Sequence, residues 1–453
     1  LLPASAAAAK RVAVADLRRP EHAELLGLCR GCYDALVAAT TRAEGTAVQL
    51  CRWLPAFLAH IGEGLGAERF LLTLLATSPA TLAALPSVHL ALSTLVLQLR
   101  ERGKRPELLS LLAALCGSDA TGDSPAFWSR PTQHQLATEL LEAYTSTELL
   151  LTLREVGEEA EGDSTIAVEW RPTDVDGVAA FGAPQASLRV LARSLDSAPD
   201  GPEGAKVRLA RFLLEEVRLL GALCEGAAND TPLPAVRRLV PFGVALAAAA
   251  DGALAPRLRG AFARLLLVAH VAPAVGDARP LPQLWREWDA LSCDFPEPPP
   301  EAIPQLYELQ AFVEAALVEC AAALATASTT ALSAYLEAAR AEGCASAAEW
   351  VSFLRPLLRL LLRLLHASEY SDAAPLRALV PPLLSLPHSL ASLHAAHRRM
   401  REAPPALAAA VAHAAQLGCA ALRRLQQLRQ HVQLSALVVA YRDNELRACG
   451  AAD

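Results

Sequence analysis

Apolar residues recur along this chain at helical spacing, with short polar or proline-marked breaks between the runs. Pro20 opens a helix that runs toward residues 39–41, with Leu25, Leu26, Cys29 and Cys32 on one face. Further helices are predicted at about 46–62, 67–76, 87–102, 105–117 and 132–152, each bounded by Gly, Pro or Ser. Longer patterns follow at about 206–226, 233–250, 254–270, 303–325, 327–341, 345–366, 371–400 with proline breaks, and 405–447 with one or two interruptions. None of these runs is paired with a strand pattern, so the expected fold class is all-α. A weak echo, LLGLC ending at Cys29, LLAALC at Cys116 and LLGALC at Cys224, recurs at unequal intervals. Helix pairs that each leave one apolar face uncovered stack on one another. The expectation is an armadillo/HEAT-like α-solenoid superhelix with irregular repeats.

Three stretches interrupt the helical register. Residues 153–205 include EVGEEAEGDSTIAVEWRPTDVDG, where acids stand at 155, 158, 159, 161, 163, 169, 174 and 176 against Arg171, and read as a mobile acidic insert, cut first by protease. No twelve-residue calcium loop can be drawn on it. Residues 118–131 and the proline-rich DFPEPPPEAIP at 294–304 read as connectors. The expected organisation is an N-terminal solenoid segment over 1–152, the insert at 153–205, a middle segment over 206–293, the connector at 294–304 and a C-terminal helical segment over 305–453.

Composition sharpens this picture. The 453 residues are 53% hydrophobic and 20% charged, enough for a large core and incompatible with general disorder. Aromatics are only 5%, which excludes an all-β protein. Lysine occurs only at Lys10, Lys104 and Lys206, a sign of a GC-rich coding sequence that discounts part of the Ala and Arg abundance. A net charge of −7 offers no global field for nucleic acid, so no nucleic-acid partner is expected. The opening LLPASAAAAKR carries its charge after its apolar run and is no secretory signal; the chain reads as an internal piece of something larger or an incomplete coding sequence. The uncharged run 70–99 is cut by Pro79 and Pro86, and 403–422 is mostly Ala with Pro404, Pro405, His413 and Gln416, so no membrane span is expected from either.

Chemistry-bearing motifs are sparse. Most of the ten cysteines lie among apolar residues at helical spacing, as small core hydrophobes in a reducing compartment do. Cys29 and Cys32 form a C-x-x-C pair, but no second pair or paired His follows at zinc-finger spacing, and no βαβ pattern surrounds them. Phosphate-binding loops, H-E-x-x-H and G-x-S-x-G are absent, so no catalytic residue, cofactor or metal ligand is assigned. His388, His394 and His397 lie close in sequence, beside Arg398, Arg399 and Arg401, and read as a surface helix. The sharpest feature is the row Arg355, Arg359 and Arg363 in FLRPLLRLLLRLLH, one polar stripe on a helix otherwise solid with Leu. The row either covers a solvated edge with its apolar stems, the preferred reading, or docks an acidic segment of another domain.

Several blocks, in order, resemble the central helical homology domains (RIH type) of the inositol trisphosphate receptor and ryanodine receptor calcium-release channel family. In 47–85, Gln49, Leu50, Leu54, Phe57 and Leu58 fit that pattern, while Val48 and Ser78 stand where the family has Asn. Residues 99–116, 132–141, 231–271, 282–285, 306–318 and 349–366 continue the order, which covers about 22–366 and is specific mainly through that order. It suits the second of the family's homology domains better than the first. The resemblance implies a non-catalytic cytosolic α-solenoid portion of an intracellular ligand-gated calcium-release channel of the endoplasmic reticulum or another internal membrane. Its partners would be the other domains and subunits of a parent channel, a homotetramer. The family's ligand site needs a β-trefoil and its pore needs membrane helices, so no ligand or pore residue carries over. The alternative is a free-standing armadillo-like protein-interaction scaffold.

Overall fold

The computed structural model describes residues 16–17, 19–42, 46, 49–61, 63–77, 86–116, 130–141, 149–155, 166–170, 184–196, 204–225, 232–272, 303, 305–336, 342–366, 373–399 and 407–428. The described residues are mostly helical, and the all-α class holds at that level. The chain forms two compact units. Unit 1 comprises Leu1–Leu151, Trp170–Pro184 and Asp196–Leu223, and unit 2 comprises Thr152–Glu169, Gln185–Leu195 and Cys224–Asp453. The proline-rich connector 294–304 lies outside the described residues except for the buried Ile303, as do 117–129 and 429–453.

Unit 1 contains α1 (Ala23–Arg42), α2 (Leu54–Leu58), α3 (Ala67–Thr77), α4 (Pro86–Arg102), α5 (Pro106–Leu115), α6 (Arg130–Leu141) and all but the last residue of α8 (Gly204–Cys224). Several helices open on proline, whose fixed φ suits the first turn and whose missing N–H costs nothing there; α5 starts so, after an extended Arg105. Packing follows chain order, α1 on α3, α3 on α5, and α4 on α5 and α6. The shared interior is Leu and Phe: Phe70, Leu74, Leu92, Leu95, Leu108, Leu112, Leu136, Leu140 and Phe212 are all fully buried.

Unit 2 begins with a correction. Part of the presumed mobile insert is a three-stranded antiparallel sheet of β1 (Thr152–Glu155), β2 (Ile166–Glu169) and β3 (Gln185–Ser187), followed by the short α7 (Leu188–Arg193). Leu153 stands opposite Val168, and both are buried with Ile166. On the other face Arg154 reaches Glu169 at 3.6 Å, while Glu155 is exposed at the end of β1, opposite Ile166. This alternation, in strands of only three or four residues, is what holds a half-buried sheet. Of the predicted helix 132–152 the structure describes Arg130–Leu141 as helix, and Thr152, its expected last residue, belongs to β1.

Helix α9 (Leu233–Leu239) and α10 (Phe242–Ala250) replace the single run expected at 233–250, with a 59° bend at Pro241. Helix α11 (Pro256–Leu265) continues into a π-helical turn, Leu266–Val271. Two runs expected as separate helices form one, α12 (Leu306–Leu336), and α13 spans Glu342–His366. Helix α14 (Ala373–Arg399) runs unbroken through Pro381, Pro382 and Pro387. Its buried stripe of Leu379, Leu383, Leu386 and Leu390 offsets the hydrogen bonds those prolines remove. Residues 407–428 form α15, buried at Val411, Ala414, Ala421, Leu425 and Leu428. Helix α12 packs on α13 and α14, and α11 packs on α10 and α13. Over Leu306–Thr329, α12 is long and apolar enough to cross a membrane, a run the sequence reading passed over, and 44% of its window is buried against its neighbours. A core helix meets the same criterion.

Candidate functional site

Each unit carries one built cluster of buried polar groups. In unit 1, Glu216 sits on α8 between Phe212 and Leu219 or Leu220, on the stripe that faces the core. Its carboxylate accepts the backbone N–H of Leu151 at 3.0 and 3.2 Å. Burial pushes its acidity down, to a pKa of about 8, against the opposing pull of that N–H and of Lys104. Lys104, also buried, donates to the Leu150 carbonyl at 3.3 Å and lies over the Phe212 ring at 5.5 Å. Nearby α6 is tied to α8 by Gln133, which donates to the Ala222 carbonyl at 2.9 Å. The two ionisable groups thus hold the C=O and the N–H of one peptide group, that between Leu150 and Leu151.

In unit 2 the cluster is a seam of arginines between α11 and α13. Arg257 reaches Glu349 at 3.8 Å, Gly260 lies against Ser352 and Phe353, and Arg264 and Arg359 both pair with Glu225, the latter at 3.9 Å. Contact positions rise together on both helices, so α11 and α13 run parallel. Gly260 makes this possible: a Cβ there would meet the Phe353 Cα and the Ser352 carbonyl oxygen at 3.0 Å. Arg259 is the centre of the seam, its side chain 3% exposed. It grips Glu319 of α12 through two parallel bonds of 2.7 and 2.8 Å, stacks 4.5 Å from the Phe353 ring centroid, and donates to the Ala249 carbonyl at 3.0 Å. That carbonyl belongs to the last turn of α10, where a cation also meets the negative end of the helix dipole. One guanidinium therefore fixes four helices.

The neighbouring π turn adds a reciprocal pair. Arg237 of α9 donates to the Ala269 carbonyl at 2.8 Å, and the His270 ring Nε2 meets the Val240 carbonyl at 3.2 Å, just before the bend at Pro241. Burial, with Arg237 assisting, lowers the His270 pKa to about 4, so the ring is neutral and donates through Nε2.

Against this geometry, the sequence-derived candidates fare unequally. Arg355 is buried, only 6% exposed, and so does not lie on a solvated edge, whereas Arg359 and Arg363 are half-buried, as stems that cover apolar surface are. The acid the row meets at Arg359 is Glu225, from the same unit. His388 is exposed and His394 half-buried; the His397 side chain lies outside the described residues. Among the described residues no group of three or more His, Cys, Asp or Glu is placed to hold a metal ion. Cys116, Cys224 and Cys320 are buried as expected, whereas Cys32 and Cys419 are exposed. Glu216 and Arg259 escaped the sequence reading, although each is a charge standing within an apolar stripe, the signal that could have found them.

No protein-family model matches the chain, and no curated protein matches it.

Proposed function

We propose that this chain is a non-catalytic helical relay, the cytosolic α-solenoid portion of an intracellular ligand-gated calcium-release channel that couples ligand binding to pore gating. The observation that supports the reading is packing in chain order: α1 to α3 to α5 in one unit, α10 to α11 and α12 to α13 in the other. Helices stacked on near neighbours form quasi-one-dimensional arrays, in which displacement of one element is passed to the next. The buried ties at Glu216 and Arg259 stiffen such arrays without any nucleophile and base being brought together. The resemblance in block order supplies the channel context, with other domains and subunits of a homotetramer at an internal membrane as partners.

The test is the coding sequence on both sides of residues 1 and 453. A β-trefoil region upstream and six membrane helices downstream are the expected result. Stop codons close to both ends would replace the channel with a free-standing armadillo-like scaffold, a use to which stacked helices are equally suited.

A further inference from the structure

Among the described residues, helix α1 is tied by polar contacts along one flank. Arg30 donates to the Gly64 carbonyl at 2.8 Å, Tyr33 shares a 2.6 Å hydrogen bond with His60 Nδ1, and Asp34 meets Arg69 at 3.4 Å. The loop making the first two contacts turns on Gly64 and Gly66, both with positive φ, Arg69 belongs to α3, and Tyr33 is set among Phe57, His60 and Phe70. At 100° per residue the other flank carries Leu25, Leu28, Cys29 and Cys32. Leu28 is 66% exposed, Cys32 is exposed and Cys29 is half-buried at the border of the two flanks.

From this geometry we infer that Cys29 and Cys32 form a two-thiolate site for a soft monovalent cation, copper(I). Residues three apart on a helix place their Cβ atoms about 5–6 Å apart on one face. A zinc–thiolate bond is about 2.3 Å, so a linear sulfur–metal–sulfur unit with similar bonds spans about 4.6 Å, within reach of two such side chains. Thiolates select soft ions. The donor number then selects among them: a structural zinc ion takes four ligands, and no third His, Cys, Asp or Glu is placed with this pair among the described residues. Copper(I) is satisfied by two thiolates in a line. The absence of a second C-x-x-C, which argued against zinc in the sequence, therefore favours the two-coordinate ion. Each thiol gives its proton to solvent as its sulfur–copper bond forms, two protons per ion, with no change of oxidation state. The three ties on the opposite flank keep the turn helical and the two sulfurs on one side. The site is independent of the relay reading.

The experiment uses the whole reduced chain, without oxygen, competing for copper(I) with the chromophoric chelator bicinchoninate. The readouts are chelator absorbance and iodoacetamide alkylation of each cysteine mapped by mass spectrometry. One ion withdrawn per chain should slow alkylation of Cys29 and Cys32 together and leave Cys419 unaffected. Cys29→Ser and Cys32→Ser should each weaken binding beyond the roughly 100-fold seen when outer-shell partners of a metal are removed. Helical circular dichroism matching the parent chain shows that the variants fold. Unchanged affinity in either variant, or protection of one thiol without the other, overturns the site.

Discussion

Unit 1 buries an acid with a lysine nearby, unit 2 buries an arginine clamped by an acid, and the two solve the same problem in different ways. Glu216 has no arginine locked to it; burial holds its proton on, and the carboxyl is used to receive one backbone N–H. Around Arg259 two carboxylate oxygens, a helix-end carbonyl and an aromatic face take the place of water. A buried ion is tolerated when each donor finds a partner, and a buried acid when it can shed its charge. The titrating groups make the difference testable: Glu216 in unit 1 and the neutral His270 in unit 2 carry shifts whose effects on stability with pH have opposite sign.

The largest effect is expected at Glu216. Its pKa is raised from 4.5 to about 8, so the folded state holds a proton that the unfolded state releases. The stabilisation is complete below pH 4.5 and is lost as pH rises through 8, by ~5 kcal/mol in full and by roughly half of that above pH 6. Glu216→Gln should flatten that fall. Urea titrations at pH 6 and about pH 8.5, read by alkylation of the buried Cys116 in the same unit, measure it. A parent chain and Glu216→Gln with parallel pH profiles would show that the carboxyl is ionised in the fold.

Arg259→Ala comes next. It removes the paired bonds to Glu319, the α10 cap and the stacking on Phe353 together. Loss of one partner of a buried pair costs about 3–5 kcal/mol, and the lower end is expected because Glu319, 39% exposed, regains water. Alkylation of the buried Cys320, also in unit 2, reports the drop in urea midpoint. An equal drop at Cys116 would mean that the two units unfold as one.

His270 gives the sign opposite to Glu216. Its pKa falls from 6.5 to about 4, so stabilisation is present above pH 6.5 and is lost as pH falls toward 4. The expected loss is about 2–3 kcal/mol, and His270→Gln should remove the dependence. Thermal melting between pH 7 and about pH 4.5 is the measurement. Because Glu216 shifts stability the other way over the same range, the comparison is with the variant: parallel profiles for the parent chain and His270→Gln would exclude the neutral ring.

How much of this was legible in the sequence follows from length scale. Long apolar stripes such as Leu379 to Leu390 or Leu354 to Leu365 repeat often enough that helical periodicity stands out, and Pro106 marks a start unambiguously. Strands of three and four residues offer one or two alternations, so Leu153, Ile166 and Val168 were lost among the surrounding acids. Prolines misled in both directions: Pro241 bends the chain, while Pro381, Pro382 and Pro387 are absorbed within α14, and only the packing on either side separates the cases. The arginine row was seen correctly as one stripe. Its surroundings were not, because Glu225 lies over a hundred residues earlier in the chain and no local spacing rule connects it to Arg359.

That row yields the smallest effect. Arg359 stands 3.9 Å from Glu225 with 27% of its side chain exposed, and Glu225 is already paired with Arg264. Changing Arg359 to Gln removes the longer of two contacts and leaves the carboxylate satisfied. The cost should be about 0–1 kcal/mol, as for weak ion pairs. Adding Arg264→Gln takes both cations from a carboxylate that is only 13% exposed, so the double variant should lose more than the sum of the single losses. A thermodynamic cycle over the four proteins isolates that coupling. Additive losses would mean that Glu225 is served equally well by water, and the seam would then rest on Arg259 and the close approach at Gly260.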